Sequence, residues 1–170
     1  MPFSPGLIER SQTLHRRLGG LTNITDGLRQ SLNLLLTTPP GAYRKIWLLS
    51  DGEPNVETEA LFSIVSACEE ARININTIGF GNAFDEGLLR EIAGATRQGK
   101  FVSVQSLREL SLVLAETRPQ RPRQPHRRET TVLAIDCSYS MREPMGGRRK
   151  IEAVEEAILH LLHFKQRLFS

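Results

Sequence analysis

Apolar residues recur along the chain with two different periods. Short runs free of charge, Ile46-Trp47-Leu48-Leu49, Ile73 to Phe80 and Thr131-Val132-Leu133-Ala134-Ile135, read as strands buried on both faces. Lys100 to Val104 reads as a shorter strand. Between them apolar residues return at helical spacing. Leu28, Leu32, Leu35 and Leu36 follow an N-cap position at Thr22 and stop before Pro39 and Pro40. Leu61, Ile64, Val65 and Cys68 form the inner stripe of a helix from Glu57 to Arg72. Asp85 caps a helix bearing Leu88, Leu89 and Ile92, and Ser106 with Glu109 forms a capping box before Leu107, Leu110, Val113 and Leu114. A last helix, Arg149 to Phe169, sets Ile151, Val154, Ile158, Leu161, Leu162 and Leu168 against Glu152, Glu155 and Glu156. A shorter pattern at 1–19, with Leu7, Ile8, Leu14 and Leu18, reads as a helix closed by Gly19 and Gly20. Strands alternating with helices predict an α/β fold, a Rossmann-like parallel sheet with helices on both faces.

Two of these strands end in a carboxylate. The run at 46–49 leads into Ser50-Asp51-Gly52, and the run at 131–135 leads into Asp136-Cys137-Ser138-Tyr139-Ser140. In open parallel sheets ligands bind at the carboxyl ends of strands, where the strand order reverses. An Asp followed by two Ser at alternate positions offers three hard oxygens to one point, which suits magnesium, calcium or manganese. The other reading of the same residues is a strand followed by a polar turn with an N-cap Ser.

Composition narrows the function classes. The chain has 170 residues, enough for one domain of ordinary size, and a formal net charge of +3. That charge is concentrated in Arg118, Arg121, Arg123, Arg127 and Arg128, without which 17 basic residues face 19 acidic ones. These arginines alternate with Pro119, Pro122 and Pro125 and have no aromatic neighbour, so 117–129 reads as a solvated linker and not as a nucleic-acid surface. No apolar run approaches the ~20 residues needed to cross a bilayer, and no basic-then-apolar segment follows Met1. A cytoplasmic protein without membrane contact is the expectation. Cys68 and Cys137 allow no disulfide framework or zinc spacing and read as buried free thiols. His15, His126, His160 and His163 sit in no metal or catalytic motif, and His160 and His163 share a solvated helix side.

Three separated stretches together resemble the von Willebrand factor type A domains with their metal-ion-dependent adhesion site. They are Asp136, Ser138 and Ser140 in Asp-x-Ser-x-Ser, Thr22 in Gly-Gly-Leu-Thr-Asn-Ile, and Asp51 in Leu-Leu-Ser-Asp-Gly. Ile78-Gly79-Phe80-Gly81 and the following Leu-Leu-Arg-Glu-Ile-Ala are similar to that family's later strand and helix. The order departs from the family pattern. The Asp-x-Ser-x-Ser strand and its helix come last, and nothing resembles the family's second and third strands. The chain therefore reads as a single permuted domain over 1–170, with 1–116 the family's C-terminal portion, 117–129 the linker and 130–170 its N-terminal strand and helix. The alternative is parts of two tandem domains. The linker reaches roughly 40 Å at ~3.3 Å per residue, well beyond a strand length of ~17–20 Å. That slack permits closure within one chain or a domain-swapped dimer, and the newly exposed strand edge invites strand-edge pairing.

The resemblance implies that Ser138, Ser140 and Thr22 bind Mg2+ (or Mn2+ or Ca2+), with Asp136 and Asp51 holding it through water. An exposed Asp or Glu of a protein partner would complete the coordination, giving a binding module and not an enzyme. A metal-free scaffold or truncated half-domain is the main alternative. A magnesium-dependent phosphohydrolase fits less well, because Ser138 stands where haloacid-dehalogenase-type phosphatases carry a second Asp, and no Gly-rich phosphate loop with Lys is present.

Overall fold

A computed structural model of the chain describes residues 23–39, 41–53, 59–115 and 129–168. The helix expected at 1–19, Thr22 and the linker residues 117–128 lie outside the described residues. The described residues fall into two compact units, one comprising 23–103 and 129–136 and the other 104–115 and 137–168.

The first unit is built on a four-stranded sheet. Its strands are β1 (Tyr43–Ser50), β2 (Ile73–Phe80), β3 (Phe101–Val104) and β4 (Glu129–Ile135), in the order β3-β2-β1-β4. β1 pairs in parallel with both β2 and β4. From β1 the chain thus lays β2 and β3 outward in one direction and places β4 on the other side of β1. That makes the β1/β4 boundary a topological switch point. Helices α1 (Ile24–Leu36), α2 (Leu61–Glu70) and α3 (Glu86–Gly94) complete this unit. Their apolar stripes, among them Leu28, Leu35, Leu61, Val65, Leu89 and Ile92, share one core with Ile46, Leu48, Ile73, Ile75 and Ala134 of the sheet. Every residue of β2 is buried, as are Lys45 to Ser50 of β1, including Trp47.

Local chemistry sets the helix ends. Asn23 caps α1, its side-chain oxygen accepting from Asp26 N at 2.9 Å, so the helix starts one residue later than an N-cap at Thr22 implies. The hydroxyls of Thr37 and Thr38 donate to Leu34 O and Leu35 O at 2.7 and 2.6 Å and close the last turn before Pro39. Leu36, which shares the helical spacing, is 54% exposed and outside the core. Helix α2 begins at Leu61 after a turn at Glu59 and Ala60, and the expected start at Glu57 lies outside the described residues. Asp85 caps α3 as expected, accepting from Leu88 N at 2.9 Å. Two buried asparagines on β2 pin the segment that leads into β3: Asn74 accepts from Gln98 N at 3.0 Å and Asn76 from Lys100 N at 3.1 Å.

β4 departs from the expectation of a strand buried on both faces. Only Ala134 is fully buried, and the other residues are half-buried or, at Glu129, exposed. The reason is its place in the sheet: β4 pairs with β1 alone among the described strands and forms an edge. An ion pair fixes its start. The Nζ of Lys45, a lysine 3% exposed within β1, lies 3.0 Å from Glu129 Oε1.

The second unit holds α4 (Leu107–Leu114), a 3-10 turn (Tyr139–Arg142), a small hairpin of β5 (Pro144–Met145) and β6 (Arg148–Arg149), and α5 (Lys150–Leu168). Leu110 and Leu114 of α4 and Ile151, Val154, Ile158, Leu161 and Leu162 of α5 are buried, as the spacing predicts. The capping box at α4 forms with a shift: Ser106 accepts from Glu109 N, while the Glu109 carboxylate reaches back to Gln105 N. The hairpin turns on Gly146 and Gly147, with φ of 60° and 87°, the left-handed backbone that a tight two-residue turn requires.

Candidate functional site

The switch point is where the first unit positions its carboxylates. The β1–β4 ladder runs up to the pair Leu49 and Ile135, and Asp136 N extends it by donating to Leu49 O at 2.9 Å. Asp136 is therefore held at the strand end by backbone, not by a free loop. Its carboxylate accepts from Ser50 Oγ at 3.1 Å. Ser50 Oγ is also 3.2 Å from Gly52 O, and with a single hydroxyl proton it satisfies one of these two acceptors at a time. Asp51 follows Ser50 and is fully buried, whereas Asp136 is half-buried. The structure thus brings Asp51 and Asp136 to the ends of neighbouring strands, as the sequence predicts. Ser50 was not singled out by sequence reasoning. Its signal was present, a hydroxyl at the last position of the strand that delivers Asp51.

In the second unit the 3-10 turn organises the two serines. Met141 N donates to Ser138 O at 3.2 Å and Glu143 N to Ser140 O at 3.0 Å. The two hydroxyls face each other at 2.9 Å, Ser138 buried and Ser140 half-buried. Ser138 precedes the turn but makes no side-chain capping bond. The simpler reading of an N-cap serine therefore does not describe it. Beyond the turn, Lys150 donates from its backbone to Glu143 O and from Nζ to Glu143 Oε2 at 2.9 Å, tying the hairpin base to the start of α5. Arg149 bonds Glu152 through backbone and guanidinium, holding that carboxyl below the usual range.

Thr22, the fifth member of the predicted set, lies outside the described residues. Among the described residues no three His, Cys, Asp or Glu side chains gather as a metal cluster. His160 and His163 are exposed, as expected for a solvated helix side, and His15 and His126 are outside the described residues. Cys68 is buried as expected, and burial pushes its thiol up to about 11; Cys137 is half-buried instead of buried. No described helix is long and apolar enough to cross a membrane.

Comparison with known proteins agrees with the fold. No match was found among curated proteins or among solved structures. A family model does match, over residues 7–116, more than half of the chain and including β1, β2 and β3. With a parallel sheet, covering helices and Asp51 at the end of β1, the chain belongs to the von Willebrand factor type A domain family, whose membership points generally to a protein-interaction module.

Proposed function

We propose that the chain is a divalent-metal-dependent protein-binding module. Asp136, Ser138, Ser140, Thr22 and Asp51 would hold Mg2+, Mn2+ or Ca2+, and an exposed Asp or Glu of a partner would supply the remaining ligand. The observation that carries this reading is the backbone bond from Asp136 N to Leu49 O, which sets Asp136 beside the strand leading to Asp51 at the switch point. The donor set fits the ion: two carboxylates, two serine hydroxyls and a threonine are all hard oxygens. When bound, the ion would act as a Lewis acid left short of negative charge by its neutral hydroxyl ligands. The chain's own part is to hold the oxygens in place, Asp136 through its backbone and Ser50, Ser138 and Ser140 through each other.

The strand order β3-β2-β1-β4 supports a permuted domain, with β4 taking the place next to β1 that the family gives its first strand. Recognition without chemistry is the better reading than hydrolysis, because the sequence supplies no second Asp at position 138 to act on a phosphoryl group. Titration calorimetry with magnesium and manganese tests the proposal. Heat of binding and a raised melting temperature are expected for the unchanged chain, and both should vanish in Asp136→Ala and weaken in Asp51→Ala. Absence of heat and of any melting shift at millimolar ion would mean a metal-free scaffold and would overturn the reading.

A further inference from the structure

In a parallel pair each residue turns its N–H and C=O to the same side, and successive residues alternate. Because Asp136 N–H reaches Leu49 O, the backbone groups of Ala134, Val132 and Thr130 face β1. Those of Thr131, Leu133 and Ile135 face the other way, along the edge that no other described strand pairs with. Among the described residues these outward groups take part in no backbone hydrogen bond outside the sheet. Proteins usually blunt such an edge with lysine, proline or a bulge. From Thr130 to Ile135 there is no charge and no proline, and the pairing with β1 runs in register without a bulge. Glu129 is the one charged residue in β4, and its carboxylate is drawn inward to Lys45. Threonine, valine, leucine and isoleucine, five of the seven residues, are types that fit a pleated surface well or tolerably.

We propose that the β4 edge pairs antiparallel with β4 of a second copy about a two-fold axis at Val132, joining two four-stranded sheets into one. The register follows from which groups face out. A two-fold at Val132 sets Thr131 against Leu133 of the second copy as hydrogen-bonded pairs using the outward groups on both sides, with Glu129 standing opposite Ile135 at the ends. It overlaps all of β4 and brings no like charges opposite each other. Slipping by one residue would present inward-facing groups, and a larger slip shortens the overlap. This self-complementarity favours a second copy over an unrelated strand. Antiparallel pairing also points the two Asp136 residues to opposite ends of the joined sheet, so a partner could reach each one. The proposal does not depend on the metal reading, and chelators should leave the association unchanged.

A seven-residue edge buries less than the ~1,200 Å2 typical of stable complexes, so the dimer should be weak and concentration-dependent. Sedimentation over a concentration series should show the mass rising from 19.1 kDa toward twice that value and no further. Thr131→Lys, which places a charge on the edge, should raise the concentration needed for association tenfold or more. Residue-resolved amide exchange on the unchanged chain provides a second test that needs no variant. The Thr131 and Leu133 amides should become protected as concentration rises, while Val132 and Ala134 stay protected throughout. A mass fixed at that of the monomer up to millimolar concentration would overturn the proposal. So would growth beyond the dimer, association indifferent to Thr131→Lys, or exchange at Thr131 and Leu133 that ignores concentration.

Discussion

Glu129→Gln removes the charge opposite a buried lysine while keeping the shape of the side chain. Lys45 Nζ sits 3.0 Å from Glu129 Oε1, with side-chain exposures of 4% and 26%, and lies 5.9 Å above the Tyr43 ring. At an effective dielectric near 20 the bare attraction at that distance is about 5 kcal/mol. Removing one partner of a buried pair typically costs about 3–5 kcal/mol. Water reaching Glu129, the Tyr43 face and the glutamine dipole each recover part of this. The expected loss is about 2–3 kcal/mol. Replacing both partners, Lys45→Met with Glu129→Gln, should return the protein to within about 1 kcal/mol of the unchanged chain, since an apolar substitute needs no counter-charge. Urea titration followed by the emission of Trp47, the only tryptophan, reads this directly, because Trp47 stands opposite Leu133 in the β1–β4 register. A loss under about 0.5 kcal/mol in the single variant, with no coupling in the double-mutant cycle, would refute the claim that this pair anchors β4.

Three further outcomes follow from particular contacts. Asp85→Ala removes the cap of α3 and should cost about 1 kcal/mol in the same titration, with Asp85→Asn close to neutral. Gly99→Ala would put a methyl 2.1 Å from Ala93 O and 2.5 Å from Ile75 O, both backbone atoms; a loss of about 3 kcal/mol is expected, and a neutral result would mean the turn before β3 moves freely. The Cys68 thiol, raised from 9.0 to about 11 in the folded state, ionises more readily when unfolded. Stability from this group is therefore complete below about pH 9 and falls between pH 9 and 11, by about 2–3 kcal/mol, and Cys68→Ala should flatten that part of the pH profile.

The strands were legible because charge-free runs bounded by turns are what a covered parallel sheet requires. β2 and β3 fall within a residue of their expected positions, and β1 contains the run at 46–49 with three further residues before it and one after. The same run at 131–135 misled as to burial when read by composition alone, since an edge strand and a central one share a composition; its place at an edge was legible only through the family resemblance, from the missing second and third strands. The start of α1 was ambiguous for a chemical reason: Thr22 and Asn23 are both N-cap types, and the choice rests on which oxygen meets an amide three residues on. The hairpin at 144–149 was missed although Gly146-Gly147 is a turn signal, because arms of two residues leave no alternation to read. Of the candidate site, both aspartates were legible as strand-end carboxylates. Ser50 and the Lys45–Glu129 pair were not, since each depends on a partner brought across the β1–β4 ladder from far along the sequence.

In the proposed module an acidic side chain of a partner would be recognised through a divalent ion at the end of β4. A peptide bearing one exposed Asp and its Asn twin, titrated in millimolar magnesium and again in excess chelator, tests it most directly. Binding of the Asp peptide in magnesium or manganese only, at least tenfold weaker binding of the Asn twin, and loss of binding in Asp136→Ala are expected. Equal binding of the two peptides, or binding that survives the chelator, would contradict it.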